Sequence, residues 1–244
     1  MWGRWFGIEV HPERGPVFLQ LTPALRPFPE GYKLCWCYAV AIVVREGNRL
    51  PVTRKETLYK ADQIITGRDS AIELKMLDGS FINLGELADM YIEELVFDPI
   101  KKDGFMDLKV AVGAFRIVSG SIAKLGPDLM LLKIPTATIG IRGTGLVGKA
   151  SPVGAENWVI LVKDPEGHIG QLVVENTVGV TILSKESEGV TMIYPDKKLA
   201  RKEYSKRFIL ELIQQVPEIR YVPLHKKQFD SLFEFNGLRV MEVQ

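Results

Sequence analysis

The spacing of turn residues through the middle of the chain is the strongest constraint on its fold. Between residues 38 and 194, short runs rich in β-branched residues are separated by Gly, Asp or Pro at intervals of about 8–12 residues. Apolar residues at spacings of three and four do not persist long enough there to form a helix of any length. The pattern therefore predicts a mainly β fold of many short strands.

The segment at 70–84 carries the clearest hairpin signal. Apolar and charged side chains alternate from Ile72 to Met76. Asp78 and Gly79 then supply the positive φ angles of a tight turn, and a second run ends at Leu84. Alternation also marks residues 105–118, with an interruption at Gly113, and two apolar runs at 158–174 flank a turn at 164–167. We expect these runs to be antiparallel or coiling neighbours.

The two ends of the chain differ from its middle. Residues 1–34 contain five prolines, which predicts an irregular arm with one short strand at 17–21. After Asp196, apolar residues at spacings of four predict an amphipathic basic helix that Asp196 caps and Pro217 ends. A second helix at 225–233 and a strand at 238–243 are also predicted. The expected organisation is an irregular Pro-rich arm (1–34), a β domain (35–195) and a short α-helical C-terminal extension (196–244).

The charge balance and the apolar runs argue against two classes of function. Of 244 residues, 31 are Lys or Arg and 30 are Asp or Glu, so the formal net charge is +1. Such a chain lacks the basic footprint that nucleic-acid binding needs. The longest apolar run, at 34–44, is well short of the roughly 20 residues of a membrane-spanning helix. No nucleic-acid partner and no transmembrane segment are predicted.

Metal and cofactor sites are not indicated. Cys35 and Cys37 are separated by one residue within an apolar run, where a relaxed disulfide between them is unfavourable. We interpret both as buried apolar residues. The three histidines are scattered, at His11, His168 and His225. No metal and no cofactor are therefore predicted. Residues 39–41 fit a secretory cleavage pattern, but the apolar part before them is short, so export stays open.

Residues 143–149 contain two patterns that resemble phosphate-binding loops. They spell both G-x-G-x-x-G and G-x-x-x-x-G-K. Both kinds of loop need a helix whose N-terminal amides hold the phosphate, yet Pro152 and Gly154 fall where its first turns would be. Ala150 also stands where the second pattern needs Ser or Thr. With no other catalytic set in the sequence, the chain is predicted not to be an enzyme; a nucleotide-dependent enzyme at 143–149 is a remote alternative.

An ordered series of motifs runs from residue 58 to residue 144. It comprises LYKADQIITG at 58–67, DGS at 78–80, DP at 98–99, GAFRIVSG at 113–120 and PTATIGIRGT at 135–144. The series resembles the FecR domain family, over about residues 39–183. The motif residues are interpreted as structural rather than ligand-binding: Asp78, Gly79, Gly113, Phe115, Arg116, Gly120, Arg142, Gly143 and Thr144. Arg142 is expected to donate to neighbouring carbonyls.

This resemblance implies a fold, a location and a role. It implies a coiled or rolled β domain of many short strands around one core, with a β-sandwich as the alternative. It also implies a periplasmic or envelope-associated location and a protein partner, because the namesake regulators relay a signal from an outer-membrane transducer to a sigma factor. The flanking segments are short for such a regulator. We therefore expect a stand-alone, non-catalytic envelope module that binds a protein or a glycan.

Two alternatives for the role stay open. The first is a signal-transduction component whose C-terminal segment docks to a membrane partner. The second is self-association, since exposed strand edges can pair between copies. The amphipathic helix is expected to pack its apolar stripe on the β domain, and its alternative placement is a membrane surface.

Overall fold

The computed structural model describes residues 17–21, 41–52 and 57–216. The cysteines, the predicted helix at 225–233 and the predicted strand at 238–243 lie outside these ranges. Within them the chain forms 17 strands and two short helices, which confirms the mainly β fold. In chain order the strands are β1 (Val17–Leu21), β2 (Ala41–Arg45), β3 (Asn48–Pro51), β4 (Thr57–Leu58), β5 (Gln63–Thr66), β6 (Ile72–Lys75), β7 (Phe81–Leu84), β8 (Asp89–Asp98), β9 (Asp103–Val118), β10 (Met130–Ile134), β11 (Ala137–Arg142), β12 (Gly145–Ala150), β13 (Asn157–Val162), β14 (Gln171–Glu175), β15 (Val180–Leu183), β16 (Glu188–Met192) and β17 (Ala200–Glu203).

The strands form two sheets that share β9. Sheet A runs β17-β16-β13-β12-β9-β7-β6-β1-β4 across its width. Sheet B runs β3-β2-β5-β8-β9-β10-β11-β14-β15. All neighbours are antiparallel except β9 and β10, which are parallel. The predicted strand at 17–21 is thus confirmed, and it lies between β4 and β6 in sheet A.

Strand β9 crosses from one sheet to the other at Gly113. Its first part, through Val112, pairs with β8 and β10, and its last part, from Gly113, pairs with β7 and β12. Gly113 has φ +112°, and a Cβ there would lie 2.5 Å from the Cα of Ala88. Only glycine meets both conditions, so the interruption in the sequence pattern marks the bend.

After β9, strand pairs are added to the two sheets in turn. The pair β10–β11 joins sheet B, β12–β13 joins sheet A, β14–β15 joins sheet B and β16–β17 joins sheet A. The two runs at 158–174 are therefore coiling neighbours in different sheets. Inward side chains of both sheets meet in one core, which includes Phe115, Leu132, Leu146 and Leu172. This alternation produces the predicted coiled arrangement.

The predicted hairpin at 70–84 is present, with a small difference in its turn. Strands β6 and β7 pair in antiparallel register. The Met76 amide donates to the Ser80 carbonyl and the Gly79 amide donates to the Met76 carbonyl, so three residues form the loop. Gly79 has φ +85°, whereas Asp78 is not in the left-handed region. One glycine is enough because this is a type I turn followed by a bulge.

The C-terminal helix is present but begins later than predicted. Helix α1 is a single turn after β9 (Ile122–Leu125), and α2 spans Lys206–Gln215. Ser205 caps α2 by accepting a hydrogen bond from the Phe208 amide. The prediction that Asp196 caps this helix was therefore wrong. Residues ahead of the helix form β17 instead, since pairing with β16 is available there. Neither helix of the described part is long and apolar enough to cross a membrane.

Helix α2 covers the outer face of sheet A, as expected for its apolar stripe. A second apolar cluster, separate from the main core, joins the helix to β12 and β13. Its buried members are Val147, Ile160, Val162, Tyr204, Ile209 and Leu212. Sheet A is thereby buried on both faces at its centre.

Candidate functional site

Asp78 joins the β6–β7 turn to the segment that follows β9. Its carboxylate accepts hydrogen bonds from the Ser80 amide (3.0 Å), the Ser80 hydroxyl (2.8 Å) and the Ile122 amide (3.2 Å). The Ser80 hydroxyl in turn accepts from the Gly120 amide (2.8 Å). A Cβ at Gly120 would lie 2.4 Å from the Asp78 carbonyl oxygen, so only glycine allows this approach. These motif residues fasten two turns together.

Phe115 and Arg116 lie on opposite faces of sheet A. Phe115 is fully buried, and its ring fills the space beside Gly148, where a Cβ would lie 2.4 Å from the ring. Gly148 belongs to β12, which pairs with both β9 and β13. A strand thus stands where a phosphate loop of the kind read at 143–149 needs a helix N-terminus. Arg116 is nearly buried and lies opposite Asn83.

The motif at 142–144 carries the chain from sheet B to sheet A. Gly143 has φ +63°, and the Thr144 amide donates to the Ser119 hydroxyl at 2.8 Å. The Thr144 hydroxyl donates to the Val162 carbonyl at 3.1 Å. Arg142 pairs with the Asp128 carboxylate at 3.2 Å. Within the described residues, no carbonyl accepts a hydrogen bond from the Arg142 side chain. The expected donation from Arg142 to neighbouring carbonyls was therefore wrong.

The turn between β13 and β14 brings together three residue types that can bind a metal. One ligand atom from each of Asp164, Glu166 and His168 lies within 4.8 Å of the others. The carboxylate of Asp164 accepts from the His168 amide at 2.7 Å, and the His168 ring nitrogen Nδ1 lies 3.1 Å from it. Burial opposes ionisation of Asp164, but these contacts outweigh it and hold its pKa below the ordinary value. The turn's own hydrogen bonds account for this arrangement.

Three loops meet at one end of the two sheets. The Gly154 amide, in the β12–β13 loop, donates to the Ile193 carbonyl at 3.0 Å. The Thr177 hydroxyl, in the β14–β15 turn, donates to the Pro195 carbonyl at 2.7 Å. These contacts hold the loops side by side.

The same loops, with strand β15, present a concentration of exposed apolar side chains. We call the following residues the end surface: Val153, Val178, Val180, Ile182, Ile193 and Tyr194. They are six of the thirteen large apolar side chains that the described residues expose. Concentrations of this kind mark interaction sites more often than scattered single residues do.

A groove lined by aromatic side chains lies on the outer face of sheet A, at the N-terminal end of α2. Its volume is about 370 Å³. Phe208 stacks on Tyr204 with ring centroids 5.3 Å apart and meets Trp158 edge to face at 5.5 Å. We call this the aromatic groove; its rim carries Glu156, Lys202, Glu203, Ser205 and Thr191. The groove combines apolar ring surface with groups that donate and accept hydrogen bonds.

Comparisons with known proteins add little to these observations. No protein-family model matches the chain, and no curated protein is similar to it. Two crystal structures of a candidate anti-sigma factor from Parabacteroides distasonis ATCC 8503 align with 61% of this chain and 62% of theirs, at 14% and 13% identity and a TM-score of 0.48. The match spans less than two thirds of those chains.

The sequence predicts neither surface. The residues of the aromatic groove come from β13, β16, the end of β17 and α2, which are far apart along the chain. The groove exists only because β13, β16 and β17 are adjacent in sheet A. For the end surface the sequence offers a weak local signal, the apolar alternation of Val178, Val180 and Ile182 beside a turn.

Proposed function

We propose that this chain is a non-catalytic binding module of FecR type in the cell envelope, which recognises a protein partner through the end surface. The observation that carries the proposal is the concentration of exposed apolar side chains on three adjoining loops. Burying such side chains against a partner releases roughly 25 cal/mol per Å² of apolar surface. The apolar side chains of the end surface therefore contribute favourable free energy when a partner covers them.

The geometry of the loops supports tight docking. Hydrogen bonds to the carbonyls of Ile193 and Pro195 fix the loops before any partner arrives. A surface that is already ordered loses less conformational entropy on binding. Tyr194, which is 45% exposed, is the aromatic residue of this surface and the natural anchor, since aromatic side chains dominate interface energetics.

The FecR-type assignment is supported by the order of motifs from 58 to 144, and the non-catalytic assignment by the strand that replaces the phosphate loop at Gly145–Ala150. The envelope location follows from the family resemblance. It is tested by mass spectrometry of the native protein's N-terminus in separated cell fractions. A processed N-terminus in the periplasmic fraction is the expected result, and an intact Met1 in the cytosol would contradict it.

The binding proposal is tested by comparing capture from envelope extracts. We expect the double variant Val178→Ser/Tyr194→Ser to bind the captured protein at least about tenfold more weakly than wild type does, because a loss of 1.4 kcal/mol of binding free energy corresponds to a tenfold loss of affinity. Ile100→Ser is the matched control, since Ile100 is 92% exposed in the β8–β9 turn, away from the end surface. Equal capture by the double variant, or no specific protein with wild type, would overturn the proposal.

Self-association through the end surface is distinguished from binding of another protein by a second measurement on the same two proteins. Sedimentation of purified wild type and of the double variant distinguishes a second copy from another protein. A concentration-dependent dimer that the double variant abolishes would place a copy of this chain on the end surface and overturn the heterologous partner.

A further inference from the structure

The aromatic groove has the chemistry of a ligand site that the protein-binding role does not use. It lies beside α2, on the outer face of sheet A, and none of its lining residues belongs to the end surface. Its volume of about 370 Å³ falls within the range of about 300–1,000 Å³ that is usual for small-ligand sites.

The rings of the groove are held in place before a ligand binds. The Tyr204 hydroxyl hydrogen-bonds with the Thr191 hydroxyl at 2.6 Å, and the Tyr204 ring is buried against Phe208. Phe208 sits in the first turn of α2, whose N-terminus is fixed by the Ser205 cap. Trp158 and Phe208 are only partly buried. Their ring surfaces therefore form an apolar platform, which a ligand reaches by displacing the Lys149 side chain, whose ammonium lies over the Trp158 ring.

The charges around the groove favour an uncharged ligand. Glu156 and Glu203 supply two carboxylates, and Lys202 and Lys149 supply two ammonium groups. The Lys149 ammonium lies 5.3 Å from the Trp158 ring centroid, and that of Lys202 lies 4.7 Å from the Tyr204 ring centroid. The chain's own lysines thus already make the cation–π contacts that a cationic ligand would seek. The two carboxylates and the two ammonium groups balance one another, so an anion gains no net attraction there either.

The ligand must also match a surface that is apolar at its base and polar at its rim. A pyranose ring has an apolar face of C–H groups and a perimeter of hydroxyls that both donate and accept hydrogen bonds. Its face fits Trp158 and Phe208, and its hydroxyls can donate to the Glu156 carboxylate and accept from the Lys202 ammonium. We propose that the aromatic groove binds a neutral saccharide stacked on Trp158.

The test is calorimetric titration of the purified full chain with neutral hexasaccharides of glucose, mannose, xylose and N-acetylglucosamine. We expect saturable binding of at least one of them. Trp158→Ala should weaken that binding at least about tenfold, because an aromatic stacking contact is worth more than its buried area alone. Trp158→Tyr keeps an aromatic face, so its affinity for the saccharide should stay within about threefold of that of wild type.

Further variants separate loss of the site from loss of the fold. Glu156 is exposed and belongs to neither apolar cluster, and its carboxylate accepts from the Trp158 indole nitrogen at 3.4 Å. Glu156→Ala therefore removes a rim acceptor and a hydrogen bond that orients the indole ring, and it should weaken binding several-fold. Tyr194→Ala removes an aromatic residue outside the groove and should leave saccharide binding unchanged. Thermal unfolding followed by circular dichroism identifies any variant that is not folded.

Three outcomes would overturn the proposal. The first is that no hexasaccharide of the panel binds to wild type. The second is that Glu156→Ala and a folded Trp158→Ala both bind as wild type does. The third is that tetramethylammonium or adenosine monophosphate, titrated as charged probes, binds the groove more tightly than every saccharide. Protein capture through the end surface can fail or succeed independently of all three.

Discussion

The outer faces of the two sheets differ, although both sheets share one core. On sheet A the outer face carries a second apolar cluster, in which Val147, Ile160 and Val162 lie under α2. On sheet B the outer face carries ion pairs, in which the Lys133 ammonium lies 2.6 Å from Glu93 and 2.7 Å from Asp107. One face is thus buried under a helix, and the other is left to water.

This difference is visible in the strands themselves. In β13 the four residues from Val159 to Val162 are all buried. In β10 buried residues alternate with partly exposed ones along the whole strand. A strand that is covered on both faces loses its alternation, whereas a strand with one solvated face keeps it. A continuous apolar run in a β sequence is therefore a sign that something covers the second face.

The largest expected loss of stability comes from removing helix α2, which covers the outer face of sheet A. We expect a chain that ends at Ser205 to be less stable than one that ends at Val216 by roughly 5 kcal/mol or more, because each buried apolar side chain contributes roughly 1.5–3 kcal/mol. The two chains differ only in α2, so the comparison isolates the helix. Urea unfolding measures the difference, and equal midpoints would show that α2 does not stabilise sheet A.

A matched pair of isoleucines tests the two faces directly. Ile160 is fully buried on the outer face of sheet A, whereas Ile182 is 48% exposed at the edge of sheet B. Ile160→Ala should lower the free energy of unfolding by about 2–5 kcal/mol, because it removes buried methyl groups and leaves a cavity. Ile182→Ala should change it by only about 0.5 kcal/mol. Similar losses in both variants would contradict the contrast between the faces.

The smallest effect concerns the ion pairs of sheet B. Hydrogen bonding to Asp107 and then to Glu93 raises the pKa of Lys133, against the opposing effect of burial. The Lys133 side chain is 40% exposed, so solvent screens these pairs, but the Asp107 side chain is only 13% exposed and loses its partner, so Lys133→Met should cost about 1–3 kcal/mol at pH 7.

The pH dependence of this variant gives the sign of the effect. Because the folded-state pKa is raised, the contribution of Lys133 is fully present below its unfolded value of about 10.4 and is lost as pH rises through the folded value. Wild type and Lys133→Met should therefore converge in stability at strongly alkaline pH. A difference that grows above pH 10 would contradict the assigned direction.

Several features of the fold follow from local sequence. The hairpin around Asp78 and Gly79 is encoded by alternation and a turn glycine, and both act within a few residues. The interruption at Gly113 is also readable, although the sequence does not say that the strand continues there into a second sheet. The four residues of β17, Ala-Arg-Lys-Glu, have no strand pattern at all. They become a strand because β16 offers them a pairing edge.

By itself, the sequence determined that this chain is mainly β, where several of its turns lie and that an amphipathic helix follows the strands. These properties depend on side-chain period and turn chemistry, which are local. Tertiary structure decided which sheet each strand joins, where α2 begins and which side chains form the aromatic groove and the end surface. Those outcomes depend on pairings between residues far apart in the chain, such as Trp158 with Phe208, and no short window of sequence contains them.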